Sequence, residues 1–383
     1  MAAHRNRRAS FQLLSSIFIV VLCVISAQFA KALPAEPDIP KIQAGAQHGS
    51  IAEQIELGAA YFTGRGVARD LKQAAYWYER AANSGDPRAQ VQVGYFYQAG
   101  IGVERNPASA ARWFERAAAS GSTRAKVNLG VAYFWGLGVH KDPEFAAQLF
   151  KEAAKKGDGG GACYLGDMYY FGLGIPRDIE EARHWFEVGS KLHSPMAKFD
   201  LALTLMAQQD HPSQKEALKL LRESAAAGYV RAKHQLALML VREPALEEAQ
   251  GEARATLEEA AADGFWKSSI VLGILARDGR SGVPQDKKSA YYHFKIASLQ
   301  GGDSASKMVA NDVQLLRSTL SESEIQSLDS EASSWVSKHD RTLQFADMQG
   351  QDSQHFPAVA MEAPDGESHA GMLFGAPVPE EWQ

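Results

Sequence analysis

Four stretches of this sequence hold residues whose types and spacing could do chemistry. Ser304-Ala305-Ser306-Lys307 puts a lysine three positions after a serine, the arrangement in which an amine activates a hydroxyl for acyl transfer. That chemistry also needs Ser-Asp-Asn and Lys-Thr-Gly elements, and the chain has neither. Gly157-Asp158-Gly159-Gly160-Gly161 is rich enough in glycine to approach a phosphate. It lacks the Lys and Ser/Thr that complete a phosphate loop, and its place between two periodic segments predicts a flexible or widened turn. The histidines are scattered, with no His-x-x-x-His pair for zinc; His184, beside Trp185, reads as a packing or surface residue. Cys163 lies on an apolar stretch, Ala162-Cys163-Tyr164-Leu165-Gly166. It could be a reactive or intermolecular thiol, but a small buried core residue is the commoner role. The sequence predicts no catalytic residue, no cofactor and no metal.

The remaining chemistry is recognition, and aromatic side chains carry it. Phe134-Trp135 stands directly before Gly136, and Tyr170-Phe171 directly before Gly172. The same two places hold Phe62-Thr63 and Gln98-Ala99 in earlier segments. The residue before each pair is a tyrosine (Tyr61, Tyr97, Tyr133, Tyr169) expected in the core. Adjacent helical residues point about 100° apart, so these neighbours cannot all share its buried face. Phe134, Trp135, Tyr170 and Phe171 are therefore the candidate binding residues. The alternative is that the stripe packs against the next segment.

What positions these residues is a 36-residue period. Gly64-x-Gly66 recurs as Gly100-x-Gly102, Gly136-x-Gly138 and Gly172-x-Gly174. Fixed periods of about 20–50 residues mark repeat architectures. Each copy opens with an apolar helical pattern, Ile55-x-Leu57-Gly58-x-x-Tyr61 in the first, which the glycine pair then stops. A second helix starts at Asp70, Asn106, Asp142 or Asp178, residues suited to satisfy the free N–H groups of a first turn. Ala74, Trp77 and Ala81 form its inner stripe, and Gly85, Gly121 and Gly157 end it.

These motifs resemble the Sel1-like repeat, a relative of the tetratricopeptide repeat. The resemblance rests on Leu57-Gly58-x-x-Tyr61-x-x-Gly64-x-Gly66-Val67-x-x-Asp70, then Ala74-x-x-Trp77-Tyr78-x-x-Ala81-Ala82-x-x-Gly85. It implies an all-α, right-handed solenoid of about seven helix pairs with a concave groove, over residues 49–302. Copies five and six lose the Gly-x-Gly turn; Gln208-Gln209-Asp210-His211-Pro212 and Glu243-Pro244 stand near it. Residues 303–339, with Val309, Val313, Leu316 and Leu320 at helical spacing and Ser321-x-x-Glu324 as a second start, predict capping helices, which an array needs to cover its last apolar face.

Both termini are of another kind. Residues 1–32 combine Arg5, Arg7 and Arg8, an apolar run from Leu13 to Ile25, and Ala30-Lys31-Ala32, the pattern of a cleavable export signal; an uncleaved membrane anchor is the alternative. Residues 33–48 read as a linker. Residues 340–383 are aperiodic and acidic and predict a disordered tail. The chain has 40 Lys+Arg against 45 Asp+Glu, a net charge of −5, so no basic excess is present to neutralise a nucleic acid. The resemblance implies a non-enzymatic adaptor or regulator, periplasmic or secreted, that grips an envelope or sensor protein, as in the rhizobial ExoR-like group or in polysaccharide-export scaffolds. A cell-wall or glycan binder and a secreted host-interaction factor are the alternative functions.

Overall fold

The computed structural model describes residues 37–208, 210–242 and 247–339. The export signal and acidic tail expected from the sequence lie outside the described residues. Among those described there are sixteen helices and no strand, and no helix is long and apolar enough to cross a membrane. The chain divides into two compact units, one ending at Ser84 and one beginning at Gly85.

The first unit holds α1 (Ile39–Gln47), α2 (Ile51–Thr63) and α3 (Leu71–Asn83). The expectation of a linker over 33–48 is corrected here, since residues 39–47 are helical. Ile42 and Ala46, one turn apart, pack with Leu57 and Trp77 in one core. Pro40 falls in the first turn, where the missing N–H costs nothing. Gln54 Nε2 donates to the Ala46 carbonyl at 3.2 Å and ties α2 to α1.

The second unit stacks six helix pairs, which with α2–α3 make the seven expected. They are α4 (Pro87–Ala99) with α5 (Pro107–Ala119), α6 (Thr123–Trp135) with α7 (Pro143–Lys155), α8 (Gly159–Phe171) with α9 (Ile179–Lys191), α10 (Pro195–Met206) with α11 (His211–Ala226), α12 (Val230–Val241) with α13 (Glu247–Ala262), and α14 (Trp266–Asp278) with α15 (Lys287–Arg317). α15 bends at Gly302 (φ 58°, ψ −141°), and α16 (Glu322–His339) follows. Within this unit the arrangement is an α-solenoid.

Each strict copy builds its bend in the same way. The first helix ends on a left-handed glycine, φ 74° at Gly136 and 68° at Gly172. The loop then folds back, so the amide of the next helix's cap residue donates to the carbonyl of the repeat's tyrosine, which is half-buried against the core rather than inside it: Asp142 to Tyr133 at 2.8 Å, Asp178 to Tyr169 at 2.9 Å. The cap side chain in turn accepts from the first turn, Asp142 from Phe145 N at 2.9 Å and Asp178 from Glu181 N at 3.0 Å. One residue thus serves both helices.

The two helices of a pair meet at a glycine notch. A Cβ on Gly130 would lie 2.6 Å from the Phe150 ring, and one on Gly166 2.6 Å from Phe186. The ring in the notch belongs to the residue after the tryptophan position, a contact the sequence reading did not assign. Copies five and six have Ala202 and Ala237 in place of the glycine, and Leu221 and Leu257 in place of the ring; all four are buried in one core. A methyl gained on one helix is matched by a ring lost on the other, so the pair keeps its spacing.

Gly157–Gly161 is not a widened turn. Asp158 caps α8 by accepting from Gly161 N at 3.0 Å, and Gly159 to Gly161 form the helix's first turn. A Cβ on Gly159 would meet Ser194 at 2.8 Å and one on Gly161 would meet Ala153 at 2.9 Å. Gly159 and Gly161 are there for close approach. At the far end, Ser321 and Glu324 form a reciprocal capping box (Ser321 N to Glu324 Oε2 2.9 Å; Glu324 N to Ser321 Oγ 3.4 Å). Ile325 and Ala332 of α16 are buried, with Ile325 in a core shared with Tyr291, Phe294, Val309 and Leu316.

Candidate functional site

The four aromatic candidates sit on the last turns of α6 and α8. Each pair meets edge to face: Phe134 and Trp135 at 4.9 Å and 89°, Tyr170 and Phe171 at 4.8 Å and 76°. Helical geometry divides each pair. Phe134 packs on the core formed by Ala147, Phe150, Leu165 and Met168. Tyr170 packs on the next core, with Phe186, Phe199 and Leu201 among its members. Trp135 is half-buried and Phe171 is exposed. Phe62, in the same place as the half-buried Phe134, is buried. The first member of each pair thus packs on a core; of the four rings Phe171 is the exposed one, while Phe134, Trp135 and Tyr170 are half-buried.

An arginine secures the bends of copies one, two and four, and Lys141 stands at that place in copy three. Arg177 Nε donates to the Tyr170 carbonyl at 2.9 Å, as Arg105 does to Gln98 and Arg69 to Phe62, both at 3.1 Å. These charge-assisted bonds satisfy carbonyls that the helix end leaves open. The sequence reading passed over them, though Arg69, Arg105 and Arg177 fall on the 36-residue period.

A second site was not foreseen. Stacking brings residue i of one first helix beside residue i+33 of the next. Between copies two and three this pairs Tyr95 with Asn128, whose Nδ2 donates to the tyrosine hydroxyl at 2.8 Å. Between copies four and five the same step pairs Asp167 of α8 with Asp200 of α10. Cys163, one turn before Asp167, donates from Sγ to Asp200 Oδ2 at 2.9 Å. One ligand atom from each of the three lies within 4.8 Å of the others. Cys163 is 0%, Asp167 5% and Asp200 4% exposed, and Asp167 Oδ1 is buried without a hydrogen-bond partner among the described residues.

Burial sets the electrostatics here. It pushes Asp200 up to about 7, opposed by the Cys163 hydrogen bond and the Arg231 guanidinium. It pushes Asp167 well above the carboxylate range, with the charge of Asp200 adding and Arg231 opposing. The Cys163 thiol is raised by burial and then by both carboxyls, so it is no nucleophile in this setting. Cys163 is buried in an apolar core with Ala182, Phe186 and Ala197, as its core reading requires, but the Asp167 and Asp200 carboxyls stand beside it.

The other sequence candidates stay apart. Ser304 and Lys307 are both exposed on α15. His184 meets Trp185 edge-on at 5.4 Å, and Trp185 is 9% exposed.

Comparison with known proteins gives one family. The family described as Sel1 repeat matches residues 54–86, 87–122, 123–158, 161–193, 195–229 and 270–302. The sixth structural pair, α12–α13, lies between the last two matched segments. No curated protein matches the chain. Similar solved structures include a protective antigen of uropathogenic Escherichia coli displaying an SLR fold, 23% identical, covering 83% of this chain and 76% of that one, with a TM-score of 0.48. A Sel1 repeat protein from Oxalobacter formigenes is 31% identical, covering 48% of this chain and 75% of that one, with a TM-score of 0.45.

Proposed function

The chain belongs to the Sel1 repeat family, whose members commonly mediate protein–protein interaction and are generally non-catalytic scaffolds, and from that premise we propose that it is an exported, non-enzymatic adaptor or regulator whose partner, an envelope or sensor protein, docks on the bends of copies three and four. Trp135 and Phe171 are the anchors in this reading, with Phe134 and Tyr170 holding them from beneath. The observation that carries it is the exposure of Phe171, 36% for a large apolar ring, one repeat on from the half-buried Trp135. Aromatic side chains that are accessible yet stiffly backed lose little entropy on binding and dominate interface energetics. The basic, apolar and small-residue order of residues 1–32 supports export.

The test is crosslinked capture from the envelope fraction with full chain and with Trp135→Ala/Phe171→Ala. Loss of one specific crosslinked band in the double variant, at unchanged melting temperature, is the expected result. Equal capture by both chains overturns the docking site. Recovery of the chain from the cytoplasm after fractionation overturns export.

A further inference from the structure

We propose that Cys163, Asp167 and Asp200 form a binding site for one divalent transition-metal ion, Zn²⁺ by its donor chemistry, which staples α8 to α10 across the junction of copies four and five. An acidic cluster or a lone thiol would carry no such reading by itself. The independent observation is Asp167 Oδ1, a carboxylate oxygen of a side chain 95% buried that has no hydrogen-bond partner among the described residues. A buried, unpartnered carboxylate oxygen costs the fold a desolvation penalty that a neighbouring cation removes.

The donor set selects the ion. One sulfur and two carboxylate oxygens suit a borderline-soft ion and disfavour Mg²⁺ and Ca²⁺, which take all-oxygen sites. Zinc holds sulfur at about 2.3 Å and oxygen at about 2.1 Å, so tetrahedral ligands stand about 3.5 Å apart. Here Sγ and Asp200 Oδ2 are 2.9 Å apart, and one donor atom from each of the three residues lies within 4.8 Å of the others. The donors would shift by side-chain rotation to reach coordination, and the fourth position is left for water. Charge closes once binding releases to solvent the protons that burial holds on these groups: a thiolate and two carboxylates then meet a dication and the guanidinium of Arg231, whose field acts on both carboxyls. The ligands sit on two rigid helices of successive copies, Cys163 and Asp167 one turn apart on one face of α8, which pre-organises the site.

The experiment uses the full chain carrying Cys23→Ser, so that Cys163 is its one thiol. After chelator treatment the protein is titrated with Co²⁺ and then Zn²⁺, with Mg²⁺ and Ca²⁺ as controls, following absorbance, bound metal per chain and melting temperature. The expected result is one ion per chain, a thiolate-to-cobalt charge-transfer band displaced by zinc, and a raised melting temperature with zinc alone. Cys163→Ser should abolish the band. Asp167→Asn and Asp200→Asn should each weaken zinc affinity at least about tenfold, with circular dichroism showing whether each variant folds. Absence of the band in the parent chain overturns the proposal even if a variant fails to fold. So does undiminished zinc binding in folded Cys163→Ser, or equal stabilisation by Mg²⁺; a cluster that merely shares protons gives the first of these outcomes.

Discussion

Tyr170 and Phe171 are neighbours in sequence, yet one packs on a core and the other is exposed, while Phe134 packs on a core beside a half-buried Trp135. Truncating the core-packed rings removes core contacts, so Phe134→Ala should cost about 2–3 kcal/mol in urea unfolding, somewhat less than for a fully buried ring. Trp135→Ala and Phe171→Ala should each cost under about 1 kcal/mol; a larger loss would mark them as packing residues too. His234 allows a test by pH. Its Nδ1 lies 2.9 Å from Ser268 Oγ, and burial, then Lys267, pulls its pKa down to about 4. The unfolded chain takes up that proton near 6.5, so between about 4 and 6.5 the unfolded state binds more protons. The contribution is present above pH 6.5 and is lost as pH falls through that window. His234→Gln has nothing to protonate, and relative to the parent it should retain about 2 kcal/mol more at pH 4.5. Parallel pH profiles for the two chains would refute this. At this scale the aromatic quartet was legible because it sits at a fixed phase of the repeat, but the split within each pair was not. Cys163, Asp167 and Asp200 were illegible as a group, because residues 33 and 37 positions apart become neighbours only through stacking. A faint sign was present: Asp167 takes the phase held by Ala59, Tyr95 and Val131.

The helices and bends were the legible part, because local rules fix them: a cap, an apolar stripe and a glycine in each copy. Notch contacts between helices were harder to see, since they depend on which side chain of the second helix meets the glycine. Copies five and six hid their kinship by changing both sides of that contact at once, Gly to Ala and ring to Leu. The same compensation can be imposed. Gly130→Ala puts a methyl into the Phe150 ring at 2.6 Å and should destabilise by about 1–3 kcal/mol. Gly130→Ala/Phe150→Leu should recover part of that loss although each single change is unfavourable; a purely additive double variant would show that the notch is not the coupling. Two left-handed glycines separate strain from space. Gly157, at φ 91°, has nothing within 4 Å of an added Cβ, so Gly157→Ala should cost only the backbone term, about 1 kcal/mol. Gly138, at φ 73°, would drive the same methyl into the backbone of Pro107 and Ala108, and Gly138→Ala should cost clearly more in the same denaturation assay.

In the second unit each pair shares its cores with adjacent pairs, so stability should be local and additive along the stack. The cap offers the sharpest test. α16 buries Ile325 at 4% and Ala332 at 0%, and Tyr291, itself 0% exposed, donates its hydroxyl to Asp329 at 3.0 Å. The ion pairs Lys288–Glu324 at 2.8 Å and Lys295–Asp329 at 3.2 Å are solvent-accessible and add little. Apolar burial therefore dominates the cap's contribution, at roughly 1.5–3 kcal/mol per large side chain. Ending the chain after Ser321 bares the α14–α15 face. If neighbours alone hold each pair, hydrogen-exchange protection should collapse in α14 and α15, weaken in α12 and α13, and stay unchanged in α4 to α7. A single cooperative core would instead lose protection everywhere by the same factor. The proposed metal staple adds a second reading to this measurement: with zinc bound, the loss spreading inward from the truncated end should stop at α10, where Asp200 is fastened to α8.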